Sequence, residues 1–186
     1  LALFEAVLDA QAGLVASWMH VGFIHGVMNT DNTTISGETI DYGPCAFLDT
    51  FDPATVFSSI DHGGRYAFGN QPSIVQWNLA RLAEALLPLI DADQDIAVGL
   101  ATDLLQEFPA RFGIAWRRGM RAKLGLTTEQ DGDGELIDDL LSTMHEQSSD
   151  HTQMFRALSS EVRGERTPVL DQLADRGALL RRPDLQ

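Results

Sequence analysis

The sequence has 186 residues, of which 44% are hydrophobic and 22% charged, the composition of an ordinary globular protein of about one domain. The formal net charge of −14 argues against nucleic acid and anionic membrane surfaces as partners, because both are negatively charged. The single cysteine excludes an internal disulfide, and no apolar run reaches the length of a membrane span. These features predict a cytoplasmic protein.

The first predicted element is a long helix, since apolar residues recur at helical spacing over residues 3–23. Gln11 is the one polar residue within that apolar stripe. Two short strand-like pieces follow at residues 33–35 and 38–40, and Ser36-Gly37 lies between them. This pattern predicts a small β-hairpin that turns at Ser36-Gly37.

Residues 73–158 are predicted to form a helical bundle, with three helices in series, a polar break at residues 127–134 and shorter helices after it. The stretch 161–186 is rich in arginine and aspartate and is predicted to be a loosely packed tail. The predicted fold is therefore mainly α with a small β-hairpin, in one domain over residues 1–160.

The predicted hairpin brings oxygen-bearing side chains together. If the chain turns at Ser36-Gly37, Asn32 faces Asp41 at the base of the hairpin. Opposed residues on antiparallel strands have Cβ atoms about 4.5–5.5 Å apart, close enough for both side-chain oxygens to bind one hard cation. Two protein oxygens, with water and phosphate completing the shell, are typical of Mg²⁺. Asp31 lies next to this pair in the sequence.

The spacing of these residues is similar to that of protein kinases, whose catalytic loop carries a His and a metal-binding Asn seven residues apart. His25 and Asn32 keep that spacing, and Asp41-Tyr42-Gly43 follows as the D-F-G motif follows in kinases. The kinase catalytic-base Asp is replaced by Val27, which cannot accept a proton. We expect His25 itself to be structural. Together the spacings favour a metal-nucleotide site over three unrelated turns.

Several longer motifs carry a resemblance to the selenoprotein O family. They are residues 25–32, 39–44, 47–49, 65–72 and 76–83, with a more diffuse likeness at residues 150–156. The resemblance is strong over residues 1–90.

The resemblance implies a protein-kinase-like fold in which ATP binds in a flipped orientation, so that AMP passes to Ser, Thr or Tyr hydroxyls of protein substrates. It implies that Asn32 and Asp41 hold Mg²⁺ or Mn²⁺ and that Asp41 also contacts the nucleotide. It implies that Asp31 accepts the proton of the attacking hydroxyl. The expected protein is thus a cytoplasmic nucleotidyltransferase of bacterial type that uses ATP.

A kinase-like nucleotide site also needs a glycine-rich loop and a strand lysine upstream of the catalytic loop. Only 24 residues precede His25, and the sole lysine, Lys123, lies far downstream. The sequence therefore predicts the C-terminal lobe of such a fold (residues 25–44 as catalytic loop and metal hairpin) without its N-terminal lobe. We expect this chain to be inactive by itself.

Two alternatives remain open from the residues. A phosphotransferase of the small-molecule-kinase type also carries a His-Gly pair in its catalytic loop, although Val27 argues against it. A non-catalytic, pseudokinase-like binding module would keep the motif as a vestige, although the three oxygen-bearing residues argue against that.

Basic side chains are few. Arg65 lies in a glycine-rich loop and is a weak candidate for phosphate binding. The remaining cluster is predicted to be a solvated helix face, and it comprises Arg117, Arg118, Arg121 and Lys123.

Overall fold

A computed structural model of the chain describes residues 1–165, which are mainly helical. The helices are α1 (Ala2–His20), α2 (Gln71–Ile90), α3 (Gln94–Gln106), α4 (Phe108–Lys123), α5 (Asp133–Glu146) and α6 (His151–Val162). Two short strands, β1 (Phe23–Ile24) and β2 (Ala46–Phe47), pair antiparallel with Phe23 opposite Phe47. The prediction of a mainly α fold with a small antiparallel strand pair is confirmed. No helix within residues 1–165 combines the length and apolar character needed to span a membrane.

Local chemistry fixes where several helices begin. The Asp93 carboxylate accepts hydrogen bonds from the backbone N–H groups of Asp95 at 2.9 Å and Ile96 at 3.3 Å, which caps α3. Asp150 caps α6 in the same way, accepting from the backbone N–H of Gln153 at 2.7 Å. Such caps satisfy backbone donors that have no partner inside the helix. The three helices in series and the later helices predicted around residues 136–144 and 154–158 are present, whereas a further helix predicted at residues 169–180 lies outside the described residues.

The helices pack into two hydrophobic cores with α1 in the centre, lying against both α2 and α4. The first core lies among α1, α2, α3 and the start of α4, and its members include Phe4, Leu8, Val15, Trp18, Leu79 and Phe108. The second joins α4, α5 and α6 to the segment after β2, and includes Leu48, Phe51, Phe68, Met120, Ile137, Met144 and Met154. Strand β1 contributes Phe23 to the first core and Ile24 to the second. Alternate strand residues point to opposite faces, so this strand lies between the cores.

The predicted hairpin strands at residues 33–35 and 38–40 are wrong, because neither piece forms a strand. The turn itself lies where it was predicted, with Gly37 at φ +74° and its N–H donating to the Thr34 carbonyl at 3.4 Å. The antiparallel pair forms instead between β1, which precedes this segment in the chain, and β2, which follows it.

Side chains from α1 explain this difference. Gln11 Nε2 donates to the Thr34 carbonyl at 2.7 Å, and Trp18 Nε1 donates to Thr39 Oγ1 at 2.8 Å. These bonds hold both halves of the segment against the helix instead of against each other. Strand preference depends strongly on context, and here helix contacts replace the cross-strand ladder.

The predicted solvated basic face of α4 is also partly wrong. Lys123 is partly buried, its Nζ donates to the His20 carbonyl, and the same Nζ lies 3.7 Å from the centroid of the Phe155 ring. Burial lowers the pKa of Lys123 to about 8. Arg117 and Arg118 are exposed as predicted. Of the predicted tail over residues 161–186, residues 166–186 lie outside the described residues.

Candidate active site

The candidate site lies on the loop of residues 25–45, which connects β1 to β2. The loop is anchored at its start by the buried side chain of Gln71, at the beginning of α2. Gln71 Nε2 donates to the Phe23 carbonyl at 3.0 Å, and Gln71 Oε1 accepts from the backbone N–H of His25 at 3.0 Å. This amide pairs with the backbone as a neighbouring strand would, so it fixes the direction in which the loop leaves β1.

His25 ties the two ends of the loop together. Its ring is 1% exposed, and Nε2 lies 2.7 Å from the Ile40 carbonyl. A carbonyl oxygen only accepts, so Nε2 carries the proton in this bond. The expectation that His25 is structural is confirmed, because this bond holds the residue just before Asp41 against the start of the loop.

The middle of the loop is held from the opposite side by α2. Asn78 Nδ2 donates to the Met28 carbonyl at 3.1 Å and to Thr33 Oγ1 at 2.9 Å. The Tyr66 hydroxyl donates to Asn29 Oδ1 at 2.5 Å. Residues 28–33 are therefore fixed between two side chains of the core, and Asp31 and Asn32 lie within that fixed stretch.

The structure brings Asn32 and Asp41 into contact, with Asn32 Nδ2 donating to Asp41 Oδ2 at 3.2 Å. Asp41 is exposed and has φ +54°, a left-handed conformation that aspartate tolerates better than most residues. Residues held in this region are frequent at functional sites. The predicted pairing is thus observed, although the strands that were expected to produce it do not form.

The Asn32 amide is only half satisfied. Its Oδ1 is buried and has no hydrogen-bond partner among the described residues. A half-turn of an amide exchanges its nitrogen and oxygen, which would place the Asn32 oxygen beside the Asp41 carboxylate. Two oxygens at that separation repel each other unless a cation lies between them. The orphaned oxygen and the hard-oxygen donor pair therefore fit a Mg²⁺ or Mn²⁺ ion.

The rest of the site is open. Asp31 lies on the short helical turn Thr30–Asn32, is exposed, and makes no side-chain hydrogen bond to any other described residue. Within residues 1–165 no group of three or more His, Cys, Asp or Glu residues could hold a metal ion. A site of Asn32 and Asp41 would therefore leave most of the coordination shell to water and phosphate, as Mg²⁺ sites commonly do.

Sequence reasoning missed the side chains that position the loop. They are Gln11, Trp18, Tyr66, Gln71 and Asn78. One signal was present, because a glutamine in the apolar stripe of a helix requires a buried polar partner. Trp18 gave no such signal, and the other three, Tyr66, Gln71 and Asn78, lie in the motifs at residues 65–72 and 76–83, where the sequence alone assigns no role.

Comparison with known proteins identifies the family. The family described as Protein adenylyltransferase SelO matches residues 1–176. The chain belongs to the SelO family. This SelO-family chain is 63% identical over 166 residues to the protein nucleotidyltransferase YdiU of Mycolicibacterium smegmatis, an alignment that covers 88% of the chain and 34% of that relative. It is 61% identical over 176 residues to the protein of the same name from Rhodococcus jostii, covering 95% of the chain and 34% of the relative. The chain thus spans about a third of the length of these curated relatives.

Proposed function

We propose that this chain carries the metal-binding and proton-accepting residues of a protein adenylyltransferase, which transfers AMP from ATP to hydroxyl groups of proteins. The observation that carries the proposal is the contact between Asn32 and Asp41 on an anchored loop beside Asp31. Membership of the SelO family supports the reaction type. We also propose that the helical domain is the C-terminal lobe of a kinase-like fold.

Asn32 and Asp41 would hold Mg²⁺ or Mn²⁺, and Asp41 would also face the nucleotide. The bound ion supplies positive charge that offsets the charge of the phosphates during transfer. The left-handed backbone of Asp41 and its bond to Asn32 keep the two side chains together before any ligand binds.

Asp31 would act as the general base. It removes the proton from a Ser, Thr or Tyr hydroxyl while the hydroxyl oxygen forms a bond to the α-phosphorus of ATP. The bond between the α-phosphorus and the oxygen that bridges it to the β-phosphorus breaks, and pyrophosphate leaves. Asp31 suits this role because its carboxylate is exposed and makes no hydrogen bond within residues 1–165, so it is free to meet a substrate hydroxyl.

The anchors of the loop supply the precision that such a reaction needs. Gln71, His25 and Asn78 together fix the loop at its start, at Ile40 and at residues 28–33. Catalysis by positioning depends on holding reacting groups within a fraction of an ångström, and rigid supporting contacts provide this.

Metal binding tests the site directly. We expect Mn²⁺ titrated into the chain, followed by electron paramagnetic resonance, to bind in the wild type and to bind at least about tenfold more weakly after Asp41→Asn or Asn32→Leu. The Asp41→Asn variant keeps the size of the side chain and its tolerance of the left-handed backbone. Asp103→Asn on the exposed face of α3 is the matched control, with the same change in charge. Equal affinity in Asp41→Asn and the control would refute the metal assignment.

Label transfer tests the reaction. The sample is a chimera in which this chain replaces the matching segment of the Mycolicibacterium smegmatis relative, incubated with ATP labelled on the α- or the γ-phosphate. Transfer of the α-label to protein, abolished by Asp31→Asn, is the expected result. Transfer of the γ-label would instead show a phosphotransferase, and no transfer of either label would indicate a binding module. The chain alone is expected to transfer neither label.

A further inference from the structure

Two arginines meet at one tryptophan beside the candidate active site. The Arg65 guanidinium carbon lies 4.8 Å from the centroid of the Trp77 ring, and that of Arg81 lies 5.3 Å from the same centroid. The Trp77 side chain is 42% exposed. Stacking on a ring face leaves the N–H donors at the edge of a guanidinium group available to an anion. We call Arg65, Trp77 and Arg81 the arginine platform.

One guanidinium group of the arginine platform, that of Arg65, makes no ion pair within residues 1–165, although the Asp61 carboxylate accepts from the Arg65 backbone N–H at 2.9 Å. Arg81 pairs with Glu84 at 2.7 Å, whereas no carboxylate within residues 1–165 lies at ion-pair distance from Arg65. The protein as a whole has a formal charge of −14. A net charge of this sign repels anions at long range, so an acidic segment would bind here through direct contact with the guanidinium groups, above all that of Arg65.

A cavity of about 340 Å³ adjoins the arginine platform. Arg81 lies at its edge, and its apolar walls come from Val7, Val75, Leu79 and Leu82 on α1 and α2. Its polar side is formed by Thr30, Thr33 and Thr34 of the loop and by Gln11 and Asn78 of the helices. A cavity of this size accommodates a bulky apolar side chain. An anion-attracting surface next to an apolar cavity matches a polypeptide that carries acidic and apolar residues side by side.

The arginine platform and the cavity are continuous with the candidate active site. Tyr66, the residue after Arg65, donates its hydroxyl proton to Asn29 Oδ1 at 2.5 Å. Thr30 of the cavity directly precedes Asp31. A peptide bound here would thus pass close to the proposed base.

We propose that the arginine platform and this cavity form the docking site for the polypeptide substrate, and that they select a segment in which acidic residues flank an apolar one. The inference rests on the proposed function and adds to it the class of substrate. The acidic residues bind the edges of the Arg65 and Arg81 guanidinium groups, and the apolar residue enters the cavity.

Binding of a defined peptide tests the docking site. The probe is a fluorescein-labelled peptide with one serine and one leucine among glutamates, titrated with the chimera and followed by fluorescence anisotropy. Replacement of both platform arginines (Arg65→Gln with Arg81→Gln) is expected to weaken binding at least about fivefold. The matched control is Arg117→Gln with Arg118→Gln, because both arginines are exposed on α4 and the change in net charge is the same. Less than about twofold change in the control is expected.

Peptide variants separate the two parts of the site. Replacing the glutamates by glutamine tests the arginine platform, and replacing the leucine by serine tests the cavity; each change is expected to weaken binding at least about fivefold. Equal losses in the platform variant and the control variant would overturn the proposal, because they would show that binding responds only to the change in net charge. Unchanged binding by the platform variant, or by the serine peptide, would overturn it as well.

Transfer kinetics distinguish failure of this inference from failure of the proposed function. If both hold, the platform variant transfers AMP to the glutamate peptide with a KM raised at least about fivefold and an unchanged kcat, the pattern of lost substrate binding. Transfer with an unchanged KM would overturn the docking site and leave the adenylyltransferase assignment intact. Arginine-dependent binding of the peptide without any transfer would overturn the proposed function instead.

Discussion

Replacing Asn78 with alanine tests how firmly the candidate site is anchored. The substitution removes hydrogen bonds to the Met28 carbonyl and to Thr33 Oγ1, each contributing about 1 kcal/mol. For the bond to Met28 the cost is about 1–3 kcal/mol in place of about 1, because Met28 is 2% exposed and its carbonyl is left without this partner. Two gains oppose these losses. Asn78 Oδ1 is itself buried without a partner, and alanine favours a helix by up to about 0.7 kcal/mol.

The net expectation is a loss of about 2 kcal/mol in the free energy of unfolding. For a domain of this size, that loss lowers the Tm by about 4–8 °C. Urea unfolding followed by circular dichroism measures it. Gln76→Ala is the control on the same helix, because its Nε2 makes a single bond, 3.3 Å long, to the Leu105 carbonyl. A loss below about 0.5 kcal/mol, or one no larger than that of the control, would refute the anchoring argument.

A second variant at the same position distinguishes the effect of losing the hydrogen-bond donor from the effect of losing side-chain volume. Asn78→Asp preserves the shape, but a carboxylate cannot donate to the Met28 carbonyl. We expect it to be more destabilising than alanine at pH 7. Protonation restores one donor, so the difference from wild type, measured at each pH, is expected to narrow as the pH falls. A difference that does not change with pH would show that the donor is unimportant.

Three further perturbations have defined outcomes. Gly26→Ala is expected to cost about 2–3 kcal/mol in urea unfolding, because Gly26 has φ +84° and a Cβ there would lie 2.8 Å from Pro44 Cγ; a cost below about 1 kcal/mol would contradict this. Gly119→Ala puts a methyl group where the His20 ring lies, so the ring must move and a stability loss of about 1–3 kcal/mol is expected. The near-ultraviolet circular dichroism spectrum should change as well, and an unchanged spectrum would contradict the movement of the ring. Burial lowers the pKa of His151 from 6.5 to about 4, so the unfolded chain binds more protons between these values. The free energy of unfolding is therefore expected to fall by up to about 3 kcal/mol from this group as the pH falls from about 6.5 towards 4. His151→Leu is expected to make the free energy of unfolding depend less on pH in this range. An unchanged pH dependence in this variant would exclude His151 as the cause.

The helices could be predicted because their apolar residues recur over many turns. The end of α1 could not, since Phe23 continues the apolar pattern of the helix and also suits a buried strand. Tertiary pairing with Phe47 decides between these possibilities, and that partner lies beyond the reach of local patterns. The helix therefore ends at His20, and Phe23 begins β1.

The pairing of Asn32 with Asp41 was predicted from a hairpin that does not form. The prediction of the contact survives because the turn at Ser36-Gly37 still reverses the chain, even though side chains of α1 and α2 hold its two halves. Such anchors involve residues far apart in the sequence, for example Asn78 with Met28. No spacing rule identifies them, and the one signal in the sequence was Gln11 within the apolar stripe of α1.

Strand β1 also limits where the chain can accept an inserted or deleted residue. Phe23 enters one core and Ile24 the other, so inserting or deleting one residue next to this strand would exchange the two faces. A large aromatic ring would then meet the space of a smaller aliphatic side chain, and both cores would lose their packing together. Insertion of a single residue between Gly22 and His25 should therefore prevent folding, whereas an insertion at the exposed turn around Ser36 should be tolerated. A scan of one-residue insertions through this region, scored by soluble expression, would map that boundary.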